Sequence, residues 1–265
     1  MDLGIAGKTA IVSGSSKGIG RAVATALAAE GCNVMMTARG REALEESAAG
    51  VRALGAGAVD AVAADMTTEA GVDRVVQTCR ERFGPVDIAV SNVAGPKSLR
   101  FEGTDDEAFM DAYRAMVMSV VWLARRILPD MRERGWGRIV NIGSDCVKDV
   151  HREVPLLLAN VNRAAALGLL KTLADEVAAD GVTVNNIGVG GILTENRITF
   201  HQQFAESQGV DVADVQNANA EHIPVGRFGE PAELAAVVTF LCSTQSSYVT
   251  GETIAVNGGR SRTLL

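Results

Sequence analysis

The chain has 265 residues, of which 47% are hydrophobic and 22% charged, with a formal net charge of −7. That length suits one large α/β domain, the composition excludes a disordered chain, and the negative charge leaves no basic field for a nucleic acid. No apolar run approaches the ~18 residues that span a bilayer, Met1-Asp2-Leu3-Gly4 does not read as a secretory leader, and four scattered cysteines without a CxxC read as reduced cytoplasmic thiols. The three dispersed histidines suggest no metal site.

In chain order, short apolar runs alternate with longer amphipathic ones. Strands are expected at Thr9–Ser13, Asn33–Ala38, Ala58–Ala64, Val86–Asn92, Arg138–Gly143, Val182–Gly188 and Thr253–Asn257. Helices are expected at Gly18–Glu30, Arg41–Leu54, Thr68–Phe83, Asp105–Arg134, Leu158–Ala179 and Pro231–Leu241, the last with proline in its first turn. Nearly all-apolar strands in β-α-β alternation predict a doubly wound parallel sheet in a three-layer α-β-α (Rossmann) fold, a single domain over 1–265. The polar stretch 191–222, rich in Gln and Asn, breaks the alternation and is expected to be an irregular lid over a site.

The most informative segment is Ser13-Gly14-Ser15-Ser16-Lys17-Gly18-Ile19-Gly20, between the first strand and the first helix. Glycines there let the backbone approach a pyrophosphate, and the helix N-terminus presents free N–H groups to it. The second strand ends in Thr37-Ala38-Arg39, with no acid for a ribose hydroxyl. Arg39 and Lys17 together favour a 2′-phosphate, hence NADP(H) over NAD(H), although both also read as solvated surface charges. Asp65, before Met66, reads either as an acceptor for an adenine amine or as a helix cap. Asn92-Val93-Ala94-Gly95 closes the fourth strand with small residues that let a cofactor lie against the backbone.

These motifs resemble the classical short-chain dehydrogenases/reductases over nearly the full chain, and within them the 3-oxoacyl-ACP reductase-like members. Gly14-x-x-x-Gly18-Ile19-Gly20, Asp65, Asn92-Val93-Ala94-Gly95, Arg138 through Ser144, Val225 through Pro231 and Val249-Thr250-Gly251-Glu252 carry the resemblance. It implies an NADP(H)-binding oxidoreductase that forms a homo-oligomer, a tetramer or dimer, through the two long helices. The implied cofactor contacts are Gly14, Ser16, Lys17, Gly18, Ile19, Gly20, Arg39, Asp65, Met66, Asn92, Ala94, Gly95, Arg163, Ile192 and Thr194.

The family's Asn-Ser-Tyr-Lys tetrad is incomplete. The segment Arg163 through Ala174 resembles the one that begins with the catalytic lysine, so Arg163 takes that position, Ala159 the tyrosine's and Met116 the asparagine's; only Ser144 remains. The only tyrosines are Tyr113 and Tyr248, and neither precedes a lysine by four residues. Alanine transfers no proton, whereas Arg163 keeps the positive charge and can hold a ribose, unless it is simply a surface charge on an amphipathic helix. The candidate catalytic residues are therefore Ser144, Arg163 and His151, the last a loop histidine, a residue type whose free pKa is near neutral, with Asp145, Glu153, Tyr113 and His201 as other candidate acids. Three functions stay open: a carbonyl reductase with an atypical centre, a non-redox isomerase, dehydratase or cyclase, and a non-catalytic cofactor-binding subunit. The small-molecule substrate is expected to be an apolar carbonyl compound. Met110, Met116, Met118, Trp122, Leu156 through Leu158 and Phe200 are candidates for its lining or for core.

Overall fold

A computed structural model describes residues 1–53, 56–150 and 154–263. Seven parallel strands form one sheet: β1 (Thr9–Ser13), β2 (Asn33–Ala38), β3 (Val59–Ala63), β4 (Ile88–Ser91), β5 (Gly137–Ile142), β6 (Val182–Val189) and β7 (Thr253–Val256). Their order is β3-β2-β1-β4-β5-β6-β7, so the chain reverses its winding between β1 and β4. The register there pairs Ala10 with Ile88 and Val12 with Val90. β1, β4 and β5 are wholly buried, as strands covered by helices on both faces must be.

Helices α1 (Gly18–Ala29), α2 (Arg41–Arg52), α3 (Glu69–Phe83), α4 (Asp106–Tyr113), α5 (Ser119–Glu133), α6 (Leu157–Val177), α7 (Glu195–Gln208), α8 (Val212–Ala220) and α9 (Pro231–Leu241) complete the fold. One apolar cluster joins α1, α2 and α9 to one face of the sheet through Val23, Leu27, Leu44, Leu234 and Val238. A second joins α3, α5 and α6 to the other face through Val72, Val75, Leu123, Ile127 and Leu170. Among the described residues, no helix is long and apolar enough to cross a membrane.

The structure differs from the sequence-based expectation in three places. The helix expected over Asp105–Arg134 is interrupted by a π-helical turn at Arg114–Met118, where the Ser119 N–H reaches the carbonyl of Arg114, five residues back. The stretch 191–222 is not irregular. Thr194 caps α7 and Asp211 caps α8, each accepting from a backbone N–H of the first turn. Gly209, with a φ of 66°, ends α7 in the left-handed conformation. The expected helix end at Leu54 lies outside the described residues, and α2 ends at Arg52.

Candidate active site

The site lies at the carboxyl ends of β1, β4 and β5, around the winding switch. Serines tie the strand ends together. Ser13 Oγ accepts from the Asn92 N–H (2.7 Å) and donates to the Asn92 carbonyl (3.0 Å), while Asn92 Nδ2 donates to the Gly14 carbonyl (3.3 Å). Ser15 Oγ accepts from the Thr37 N–H at 2.9 Å and anchors the turn to β2. Gly14 (φ 61°) and Gly18 (φ 56°) hold the left-handed backbone the turn needs. A Cβ on Gly20 would sit 2.2 Å from the Gly14 carbonyl oxygen, so the close approach of helix to turn admits only glycine there.

The turn fits a pyrophosphate. Lys17 stands at the extended N-cap of α1 and no side chain caps the helix, which leaves its first N–H groups directed at the cleft. A carboxylate already lies beside them: a Cβ on Gly18 would be 3.6 Å from Glu195 Oε2 and 3.4 Å from Thr194 Cγ2. Glu195 pairs with Arg21, which fastens the start of α7 to α1. Lys17 and Arg39 are exposed, and neither has an ion pair among the described residues. Asp65 acts as a local cap: its Oδ1 accepts from the Thr67 N–H (2.9 Å) and hydroxyl (2.8 Å). Met66 is buried in the second apolar cluster, Ile19 packs on the first, and Ile192 pairs with Gly229 in an isolated bridge. Ser16 is half-buried in the turn, whereas Ala94 and Gly95 are exposed beyond β4.

Ser144 follows β5 and caps a short 3₁₀ turn (Asp145–Val147), accepting from the Cys146 N–H at 3.3 Å. Its hydroxyl lies 3.5 Å from Asp145 Oδ1. Asp145 is only 2% exposed, and Asn257, beyond β7, donates to its other oxygen at 3.4 Å. From α6, Arg163 Nη1 donates to the Ile142 carbonyl at 3.2 Å, and its other terminal nitrogen would lie 3.9 Å from a Cβ on Gly95. Burial lowers the Arg163 pKa, yet a guanidinium stays charged at any physiological pH. Ala159, one turn earlier on the same face of α6, is buried.

The other candidates scatter. His151 and Glu153 lie outside the described residues. Tyr113 is 38% exposed at the end of α4. His201 is 1% exposed, its Nδ1 has no hydrogen-bond partner among the described residues, and its ring sits 5.4 Å from that of Phe228. Met116, in the π-helical turn, and Leu158 are buried core, whereas Met110 and Phe200 are exposed. Sequence reasoning missed Asn257 and Ser261, which join Asp145 in one hydrogen-bonded group from beyond β7. Nothing in their local sequence marks them, because only the fold brings them together.

A doubly wound sheet with a glycine-rich phosphate turn at its switch point defines the class as a dinucleotide-binding α/β protein. A family model described as enoyl-(acyl carrier protein) reductase matches residues 14–261, and the chain belongs to this family of classical short-chain dehydrogenases/reductases. It is 33% identical to the 3-oxoacyl-(acyl-carrier-protein) reductase FabG of Escherichia coli K12 over 260 residues, 96% of this chain and 97% of that one. The crystal structure of L-sorbose reductase from Gluconobacter frateurii, complexed with NADPH and L-sorbose, superposes with a TM-score of 0.96 at 37% identity and covers all of both chains. The crystal structure of a point variant of actinorhodin polyketide ketoreductase with NADPH gives a TM-score of 0.89 at 28% identity, over 97% of this chain and 98% of that one.

Proposed function

We propose that this chain is an NADPH-dependent carbonyl reductase that works without the family's tyrosine. The observation that carries the reading is the convergence of Ser144, from the end of β5, and Arg163, from α6, beside the glycine-rich turn. NADPH-bound sorbose reductase and polyketide ketoreductase support the cofactor assignment, as do Lys17 and Arg39, which are unpaired among the described residues.

The α1 N-terminus and Gly14, Ser16, Gly18, Ile19 and Gly20 would hold the pyrophosphate, Lys17 and Arg39 the 2′-phosphate, and Asp65 and Met66 the adenine. Asn92, Ala94, Gly95, Arg163, Ile192 and Thr194 would line the nicotinamide half. When bound, NADPH supplies a hydride to the carbonyl carbon of the substrate. The carbonyl oxygen then needs one proton. Ser144 donates a hydrogen bond to that oxygen, and the Arg163 charge stabilises the developing alkoxide. Ala159 provides no acid, so the proton comes from solvent through the Ser144 hydroxyl, with His151 as a further candidate donor. The helices α7 and α8 act as the lid, latched by Arg21 and Glu195. Exposed Met110 and Tyr113 on α4 and Val161 on α6 support a homo-oligomer built on these helices.

The test is a carbonyl substrate screen that follows loss of nicotinamide absorbance and identifies the alcohol formed. Substrate-dependent NADPH consumption with a matching alcohol supports the reading. Turnover with the cofactor unchanged would assign the chain to the non-redox alternative.

A further inference from the structure

We propose that Glu195 is a cofactor-release residue: its carboxylate competes with the pyrophosphate of the dinucleotide for the start of α1 and speeds the departure of the cofactor. The inference rests on the cofactor assignment above and adds to it a residue that opposes binding.

The starts of α1 and α7 meet at one point. A Cβ on Gly18 would lie 3.4 Å from Thr194 Cγ2 and 3.6 Å from Glu195 Oε2. Gly18 is the second glycine of the turn, the one whose bare backbone a pyrophosphate approaches. Glu195 therefore reaches over the face of the turn that a phosphate needs. Its partner there is Arg21, in the first turn of α1, so the carboxylate bridges the two helix starts. Both starts carry the positive end of a backbone dipole, and α1 has no side-chain cap of its own. α7 is already capped, since Thr194 Oγ1 accepts from the Arg197 N–H at 3.4 Å. The Glu195 side chain is thus spared that task and faces α1.

The backbone that delivers Glu195 is fastened. The Leu193 N–H donates to the Gly229 carbonyl at 2.8 Å, and the Gly229 N–H donates to the Gly191 carbonyl at 2.9 Å. The side chains, by contrast, can part. Arg21 is 48% exposed and Glu195 43%, and an ion pair so open to water contributes little to stability. A pyrophosphate is the stronger anion for the same N–H groups, so it displaces the carboxylate. The displaced charge stays within a few ångströms of the phosphates and repels them. Lys17, beside the same turn, has no ion pair among the described residues, so Glu195 opposes the pyrophosphate without engaging the cation assigned to the 2′-phosphate.

The experiment titrates NADPH, NADH and 2′-AMP into the native full chain and Glu195→Gln. Nicotinamide fluorescence reports the first two, and displacement of NADPH reports the third. 2′-AMP has the adenine and the 2′-phosphate but no pyrophosphate. The amide is isosteric with the half-exposed carboxylate, so the variant keeps the fold. NADPH and NADH should each bind about 10-fold more tightly to the variant, through slower dissociation in stopped flow, with 2′-AMP unchanged. The preference for NADPH over NADH should stay as it is, which separates Glu195 from Lys17 and Arg39. The gain should persist when Arg21→Gln is added to both chains. An NADPH affinity that is unchanged or weaker in Glu195→Gln overturns the proposal and leaves the cofactor assignment standing. So does an equal gain for 2′-AMP, which is a general effect of charge, or a gain lost with Arg21→Gln, which traces it to the freed arginine. If neither chain binds a dinucleotide or 2′-AMP, the cofactor assignment falls and the proposal falls with it.

Discussion

Arg163 donates to the carbonyl oxygen of Ile142 across 3.2 Å, and this contact fixes one face of α6 over the end of β5. The same face carries Ala159, so a buried methyl group and a half-buried cation share one side of the helix beside the end of β5. Arg163→Ala should weaken NADPH binding about 10-fold, the scale of one charged hydrogen bond, while Arg163→Lys should retain most of it. Nicotinamide fluorescence titration measures both. Equal affinity in the alanine variant would remove Arg163 from the cofactor site.

Ser144→Ala should lower kcat by about 100-fold, the typical cost of one donor to a developing oxyanion, with NADPH affinity retained. Steady-state kinetics and a binding titration separate the two effects. A variant with undiminished kcat would place the oxyanion donor elsewhere.

If Lys17 and Arg39 hold the 2′-phosphate as proposed, they set a preference for NADPH over NADH. Replacing both with alanine should reduce that preference by at least about 10-fold, because two charge-assisted contacts to one phosphate are lost. Raising the salt concentration should weaken NADPH binding in the native chain more than in the variant. An unchanged preference would return both residues to the solvated surface.

His201 links stability to pH. Burial lowers its pKa, and the nearby Arg197 charge lowers it further. The unfolded chain takes up a proton near the free value of about 6.5, whereas the folded chain does so only at lower pH. Between those values the unfolded state binds more protons, so stability is full above about pH 6.5 and falls as the pH drops below it. Thermal melts of the native chain and His201→Phe at pH 5 and pH 7.5 should show a smaller acid loss in the variant. Equal losses would mean that His201 does not carry this dependence.

The sheet was legible because its strands are short apolar runs set between capped helices. β1, β2 and α9 match their expected bounds, and other ends shift by one or two residues where caps such as Thr68 decide. The glycine-rich turn was equally legible, since Gly14 and Gly20 meet backbone that excludes any Cβ. Helices α7 and α8 were not, because they are polar around most of their surface and depend on Thr194 and Asp211 for their starts. The π-helical turn leaves no periodic trace strong enough to read. Asn257 escaped notice because it lies far from Asp145 in sequence, and only the pairing of β7 with β6 brings the two together.

The central claim is that Ala159, Arg163 and Met116 stand where the family has its tyrosine, lysine and asparagine, and that Ser144 alone of the tetrad serves the reduction. The most direct measurement is NADPH oxidation with one ketone by the native chain and by a folded Ala159→Tyr/Arg163→Lys/Met116→Asn variant. The account predicts slow, substrate-dependent oxidation by the native chain and a rate about 100-fold higher in the variant, the usual gain from a positioned general acid. No oxidation by the native chain, or a folded variant no faster than it, would contradict the account.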